Sequence, residues 1–344
     1  MGTVVAVPQT RDMKGEELSG DEAWAALRTY GGRRLLADSF HRFRYADGFT
    51  NARALALQFV LAVVPLTIAM VGVAASLHTE SVGRVVELTL SRIVPGASSH
   101  VVQDSLGHSR HSALTDLQGE IAMWSGLAFA MLNLASAMAQ IERGINRIYG
   151  TERDRPFLAK YARSLALAVA AGAPMLGGFL MLVAGDPIGG ALTDTFGSSA
   201  AWSATAWRWL RIPAGIALVW TASAVIFRWS PRRRQPGYTW LAFGSAVHLA
   251  LWLAATWLLA FYVANIGSFG TLYGPLTAFV ALLLWSYLTA ASLFLGIAFA
   301  AQLEATRAGM TVTVHADPGP EGHPASARVS GQPSTVPQPD AGYR

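Results

Sequence analysis

The chain has 344 residues, of which 52% are hydrophobic and only 14% are charged, and it contains no cysteine. A soluble domain carries about 25% charged residues, so this composition lacks the side chains that keep a water-exposed surface hydrated. The lack of cysteine excludes disulfide scaffolds, cysteine-ligated zinc and thiol nucleophiles. Composition therefore indicates a protein of the membrane.

Charge-free windows mark the predicted membrane spans. The longest window runs for 69 residues, from Gln235 to Leu303, and must fold back because one span needs about 20 residues. Glycines and a proline between Asn265 and Pro275 provide the break. The sequence predicts an all-α polytopic membrane protein, a bundle of six transmembrane helices with amphipathic interfacial helices. The predicted spans are about 54–77, 121–141, 164–185, 206–227, 238–264 and 275–303, within a transmembrane domain over 54–304.

The distribution of lysine and arginine predicts the orientation of these spans. The two terminal segments and the loops after the second and fourth spans together carry 15 basic residues near the span ends, whereas the other three loops carry 5. Loops rich in lysine and arginine stay in the cytoplasm. Both termini are therefore expected in the cytoplasm, which requires an even number of spans. The net charge of +5 then reflects topology, and nucleic acid is not an expected partner.

The segments that flank the spans have two different compositions. Residues 24–53 are predicted to be a cytoplasmic amphipathic segment, with a helix over 24–46 whose aromatic and arginine side chains separate by face. This helix is expected to lie on the inner leaflet; a solvated helix against a cytoplasmic loop is the alternative. Residues 1–23 and 305–344 are predicted to be disordered cytoplasmic tails, and the second is rich in proline.

A few polar side chains lie within the predicted spans, which contain no carboxylate. His248 is the only ionisable group in mid-span, and it acts either as a proton relay or ligand contact, or as an interhelical hydrogen-bonding group. The second span places Asn133 and Gln140 on one face, which either lines a polar path or bonds helices together. Gln58 adds a polar group to the first span.

Catalytic and metal-binding patterns are weak in this sequence. His100, Asp104, His108 and His111 share a face if their segment is helical, and such a set could hold zinc. Exposed histidines in a polar loop are the more common interpretation, so no metal site is predicted. The sequence has no nucleophile elbow, Walker loop or H-E-x-x-H motif. We therefore expect no enzyme activity, no catalytic residues and no cofactor.

Three stretches carry a resemblance to a known family. They are Ile145–Gly150 with the loop that follows, Tyr262–Gly274, and Trp285–Leu288 running into Gly296. Together they resemble the YihY/BrkB family of bacterial inner-membrane proteins. The resemblance implies a multi-pass protein of the bacterial cytoplasmic membrane with six helices and both ends cytoplasmic. The motif positions, taken as candidate functional residues, are Asn146, Arg147, Tyr262, Asn265, Gly267, Ser268, Tyr273, Gly274, Trp285, Tyr287 and Gly296.

This chain departs from the family pattern at two places. The family has a Tyr-Tyr pair and a serine before the proline of the first span, where this chain has Leu57, Gln58 and Ala62 before Pro65. The family's Gly-Ala-Glu near the end of span six corresponds here to residues 296–298, Gly-Ile-Ala. A carboxylate that the family places in the membrane is therefore missing from this chain.

Three hypotheses for function follow, in order of preference. The first is a translocator of lipid or another amphiphile, with membrane lipids as partners and an unknown substrate. The second is a non-catalytic structural or interaction protein of the envelope; a homo-oligomer and envelope protein partners stay open. The third is the ribonuclease label that family members once had, which lacks a soluble domain to support it. The loop over 262–275 is expected to cap the outer helix ends, or else to act as an aromatic anchor at the interface.

Overall fold

The computed structural model describes residues 4–9, 18–77, 116–151, 156–183, 201–265, 277–310 and 312–315. Regular structure in this part of the chain is helical, apart from a single bridge between Val4 and Val314. The predicted all-α class is confirmed for these residues. Their helices are α1 (Gly20–Tyr30), α2 (Gly32–Tyr45), α3 (Gly48–Leu77), α4 (Asp116–Ile148), α5 (Phe157–Val183), α6 (Ala201–Trp229), α7 (Tyr238–Asn265) and α8 (Thr277–Arg307).

Five of the described helices are long and apolar enough to cross a membrane. The qualifying segments are Trp124–Ile148, Leu158–Leu182, Thr205–Trp229, Tyr238–Val263 and Phe279–Arg307. They correspond to predicted spans two to six. The first predicted span, 54–77, lies within the continuous helix α3, and its crossing of the membrane stays a prediction.

The long helices α3 to α8 form a closed ring in which neighbours in the chain are neighbours in space. Each of α3 to α8 contacts its neighbour in the chain, and α8 packs back against α3. Their outward faces carry large apolar side chains; Trp209 is 79% exposed and Trp257 is 68% exposed. A soluble protein rarely leaves so much apolar surface in water, whereas a hydrocarbon solvent accommodates it without cost.

The amphipathic segment forms two helices where the sequence predicted one helix over 24–46. Gly31 ends α1 with a φ of 86°, a backbone conformation that glycine adopts readily. Both helices still have two faces: Leu35 and Phe43 are fully buried, whereas Trp24, Leu36 and Phe40 are about half exposed. α2 packs against α8, and the Trp24 ring lies 6.4 Å from the Phe243 ring of α7.

The first and last described segments, residues 4–9 and 312–315, lie together at one end of the bundle. Residues 4–9, here called the strap, are extended: the Val5 amide donates to the Thr313 carbonyl at 3.1 Å, and the Val7 amide donates to the Tyr149 carbonyl at 3.1 Å. The strap lies within the predicted disordered tail 1–23, and residues 312–315 lie within the predicted tail 305–344, so the structure differs from both expectations there. The physical reason is that buried side chains of the bundle use the strap's backbone groups as hydrogen-bond partners.

Gly150 allows the strap to lie close to the C-terminal end of α4. Its φ is 72°, and a Cβ added there would lie 2.6 Å from the Cα of Ala6. Any other residue would strain the backbone and push the strap away. The basic segments that the charge asymmetry assigns to the cytoplasm therefore meet at one end, since the strap contacts the segment after α4, the α6–α7 loop and the segment after α8.

Candidate functional site

A group of buried polar side chains lies at this end of the bundle, and we call it the arginine cluster. It draws on four parts of the chain that are distant in sequence. Its members are Arg42 of α2, Tyr149 after α4, Arg233 and Gln235 of the α6–α7 loop, and Gln302 and Glu304 of α8.

Arg42 connects three elements of the bundle. It is fully buried on the face of α2 that packs against α8. Its Nε donates to Gln302 Oε1 at 2.9 Å, and its Nη1 donates to the carbonyls of Val5 and Ile148, each at 3.1 Å. One guanidinium group therefore links α8, the strap and the C-terminus of α4.

Arg233 forms the buried ion pair of the cluster. Its Nη2 pairs with Glu304 Oε1, and the two side chains are only 2% and 0% exposed. The same nitrogen donates to the carbonyl of Pro8 at 2.8 Å. The guanidinium group also lies over the Tyr149 ring, 4.4 Å from its centre, a cation–π geometry. Breaking such a pair on one side leaves a buried charge without compensation.

Burial changes the acid–base chemistry of the cluster. It lowers the pKa of Arg42 to about 10, with a further lowering by Arg233 that Tyr149 and Glu304 oppose. It also raises the pKa of Tyr149 far above its usual range, with Glu304 acting in the same direction. At neutral pH, Arg42 is therefore charged and the Tyr149 hydroxyl is protonated.

The motif residues of α4 organise the same end of the bundle. Asn146 is buried, and its side-chain Oδ1 accepts a hydrogen bond from the Arg232 amide at 2.8 Å, which fixes the α6–α7 loop. Arg147 points outward and pairs with Asp47 in the turn between α2 and α3. These two predicted residues support the arginine cluster from outside it.

A second group of polar residues lies between α7 and α8, and we call it the polar seam. Two side-chain contacts join its helices: His248 Nδ1 lies 3.1 Å from the Ser292 hydroxyl, and the Trp285 Nε1 donates to the Thr256 hydroxyl at 3.2 Å. The buried hydroxyls of the remaining two members have no hydrogen-bond partner among the described residues. The six members are Ser245, His248, Thr256, Trp285, Thr289 and Ser292.

Small residues bring the two helices of the seam together. Gly296 faces Gly244, and a Cβ at Gly296 would lie 2.6 Å from the Cβ of His248. This predicted motif glycine therefore sets the separation of α7 and α8. Tyr287, one of the other motif residues, is partly buried against the core.

The other predicted intramembrane residues do not join the seam. Gln140 donates to the Asn51 side chain of α3 at 3.0 Å, while Asn133 donates to the Phe129 carbonyl of its own helix at 2.9 Å. Gln58 is half-buried on α3. Gln140 therefore bonds α4 to α3, which is one of the two roles predicted for this face, whereas Asn133 bonds within α4.

The family motif over Tyr262–Gly274 lies only partly within the described residues. Tyr262 is 39% exposed, and the Asn265 side chain donates to the Phe261 carbonyl at 2.8 Å. The rest of this motif, Gly267, Ser268, Tyr273 and Gly274, lies outside the described residues, as do His100, Asp104, His108 and His111. The capping role predicted for 262–275 therefore stays a prediction.

Sequence reasoning missed the arginine cluster, although one signal was available. Arg42 occupies a position on the same helical stripe as Leu35, Ser39 and Phe43, all of which are buried. A charge on an apolar stripe of a helix requires a buried partner. The partner itself could not be inferred, because Gln302 is 260 positions away in the chain.

Comparison with known proteins identifies the family. The family model described as virulence factor BrkB matches residues 39–318. The chain is 26% identical to the ribonuclease-like protein YfkH of Bacillus subtilis (strain 168) over 76% of this chain and 92% of that protein. It is 28% identical to a UPF0761 membrane protein of Xanthomonas campestris (strain B100) over 80% of this chain and to a UPF0761 membrane protein of Alteromonas mediterranea over 62%.

The coverage of these relatives differs. The match spans 63% of the Xanthomonas protein and 67% of the Alteromonas protein. No solved structure gives a significant match. The family match covers most of the chain, and the described helices have the length and composition of membrane spans. The chain belongs to the virulence factor BrkB family of membrane proteins.

Proposed function

We propose that this protein translocates a lipid or another amphiphile across the bacterial cytoplasmic membrane, with both termini in the cytoplasm. The polar seam is the observation that supports this proposal. It places uncharged hydrogen-bonding groups between two helices whose other faces are apolar. Such groups replace part of the water that a headgroup loses on entering hydrocarbon.

The position of the seam suits transfer of a headgroup. From Trp285 to Glu304, helix α8 rises about 28 Å at 1.5 Å per residue. The hydrocarbon core of a bilayer is about 30 Å thick. Polar residues of α8 therefore lie near both ends of that depth, in the seam and in the arginine cluster, with the apolar residues 293–301 between them. The headgroup would pass from the seam to the cluster while its acyl chains stay in the surrounding lipid.

The chemistry of the seam also limits the mechanism. Its members include no carboxylate, and His248 is hydrogen-bonded to Ser292. Ion-coupled pumps depend on titratable groups within the membrane. Glu304, at the cluster end of the path, is paired with Arg233, so we propose passive equilibration between leaflets rather than active transport.

Neither alternative function gains comparable support. A structural or interaction role in the envelope would use the seam only to bond α7 to α8, and it would give no role to the buried hydroxyls of Ser245 and Thr289. The Bacillus relative is named ribonuclease-like, but such chemistry needs a general base and cations that can reach a phosphodiester. In the arginine cluster, Glu304 is engaged by Arg233 beneath the strap. We propose that the chain is not a ribonuclease.

Transfer of fluorescent phospholipid in proteoliposomes tests the proposal. Vesicles with a tail-labelled phospholipid are treated with dithionite, which bleaches only the outer leaflet. The protein should make inner-leaflet label accessible, whereas protein-free vesicles should keep it protected. His248→Leu should slow transfer by about tenfold, since a lost polar contact to a headgroup costs roughly 1–3 kcal/mol.

Trp257→Leu is the matched control, because Trp257 lies on α7 but faces outward at 68% exposure. Its transfer rate should equal that of the unmodified protein. If the protein transfers no label, or if both variants slow it equally, the translocator proposal fails.

A further inference from the structure

Two side chains of the arginine cluster have buried donor atoms without an acceptor. Arg42 Nη2 and Arg233 Nε and Nη1 are buried, yet none has a hydrogen-bond acceptor among the described residues. A buried donor without an acceptor costs about 1–3 kcal/mol, and more when it is charged. Native proteins pair nearly all such groups with protein, water or a bound ion.

The arginine cluster also has an excess of positive charge. Arg42 and Arg233 are two buried cations, and Glu304 is the one carboxylate among the six members of the cluster. Removing an ion from water costs several kcal/mol unless a partner compensates it. One further negative charge would balance the cluster.

The contacts already made leave specific atoms for a ligand. The carbonyls of Val5 and Ile148 occupy Nη1 of Arg42, and Glu304 with the Pro8 carbonyl occupies Nη2 of Arg233. The remaining nitrogens belong to guanidinium groups that contact adjacent residues, since Arg42 bonds the Ile148 carbonyl and Arg233 lies over the Tyr149 ring. Planar guanidinium groups match the oxygen geometry of phosphate, to which they donate paired hydrogen bonds.

We infer that the arginine cluster binds an oxyanion of the phosphate type, through Arg42 and Arg233. The phosphate belongs either to a free ion or to the headgroup of a lipid. The inference goes beyond translocation, because binding at the cluster can be measured in protein that moves no lipid.

Titration of the purified full-length protein in neutral detergent tests this inference. Calorimetry should detect inorganic phosphate, dioctanoyl phosphatidic acid, or both, at one site per chain. Dioctanoylglycerol, which has the same acyl chains and no phosphate, should not bind there. Binding of inorganic phosphate identifies a free ion as sufficient, and binding of the phosphatidic acid alone assigns the site to a headgroup. If neither binds, the inference is wrong.

Variants locate the site. The paired change Arg233→Met with Glu304→Met removes the ion pair without leaving either charge alone, and it should weaken binding by about tenfold or more. Arg44→Gln is the control, because Arg44 is an exposed arginine of the same helix as Arg42. Unchanged affinity in the paired variant, or equal loss in Arg44→Gln, would place the site elsewhere and overturn the assignment.

A measurement on the unmodified protein avoids any failure of the variants to fold. A ligand that binds the folded protein raises its unfolding temperature. Saturating phosphate or phosphatidic acid should therefore raise the unfolding temperature, and dioctanoylglycerol should not. If neither phosphate compound raises it, or if dioctanoylglycerol raises it equally, the inference is wrong.

Discussion

Replacing Glu304 with alanine should lower the free energy of unfolding by about 3–5 kcal/mol, the cost of leaving one buried charge without its partner. In this variant Arg233, whose side chain is only 2% exposed, would lose its carboxylate while staying enclosed. Denaturant unfolding in detergent, followed by the fluorescence of the tryptophans, measures the loss.

Glu22→Ala provides the matched control for this effect. Glu22 pairs with Arg307 at 3.8 Å near the same end of α8, but its side chain is 34% exposed and that of Arg307 is 50% exposed. An exposed pair contributes only about 0–1 kcal/mol. The double replacement Arg233→Met with Glu304→Met should recover part of the stability, since no isolated charge remains. If Glu304→Ala costs no more than Glu22→Ala, the buried pair does not hold this end together.

Gly296→Ala should destabilise the protein by about 1–3 kcal/mol, although it adds only one methyl group. The new Cβ would lie 2.6 Å from the Cβ of His248 and 2.7 Å from the Gly244 carbonyl oxygen, and neither contact can relax by rotating a side chain. Helices α7 and α8 would have to separate, which would also lengthen the His248–Ser292 contact. Thermal unfolding measures the cost.

Gly177→Ala tests whether this effect depends on position. Gly177 also lies inside a long helix, α5, but the nearest atom to its added Cβ is Leu218 Cδ1 at 3.8 Å, an ordinary contact. Alanine in a helix interior is favoured over glycine by about 0.5–1 kcal/mol, so this variant should be as stable as the unmodified protein or more so. Equal losses in the two variants would contradict a close approach at Gly296.

The helices were largely predictable because each membrane helix is determined by one contiguous apolar segment of the sequence. A helix must satisfy its own backbone in hydrocarbon, so apolar windows between charges mark it directly. The helices α6 and α7 contain the predicted spans 206–227 and 238–264 within their bounds. The break at Gly31 was not predicted, because the amphipathic repeat continues across it and only the backbone conformation interrupts the helix.

The candidate site was less predictable, because its contacts are not local. His248 and Gly296 could be identified as candidate residues from the sequence, because their residue types are unusual in an apolar helix. Arg42 and Arg233 could not be identified in this way. Arg42 bonds to Gln302 on another helix, and the partner of Arg233, Glu304, lies 71 positions away in the chain. The strap was missed for the same reason, since residues 4–9 have no helical or strand pattern of their own and are held by side chains of the bundle.

The proposed translocation requires one arrangement, a bundle of six spans with the arginine cluster at its cytoplasmic end. Contact of the strap with residues 312–315 supports an even number of spans, and reporter fusions measure the arrangement directly. Fusions after residue 155, after residue 232 and at the C-terminus should report the cytoplasm, and a fusion near Ser105 should report the outside, as the basic-residue asymmetry predicts. A reversed signal from any of the four would contradict the six-span bundle and the path proposed through it.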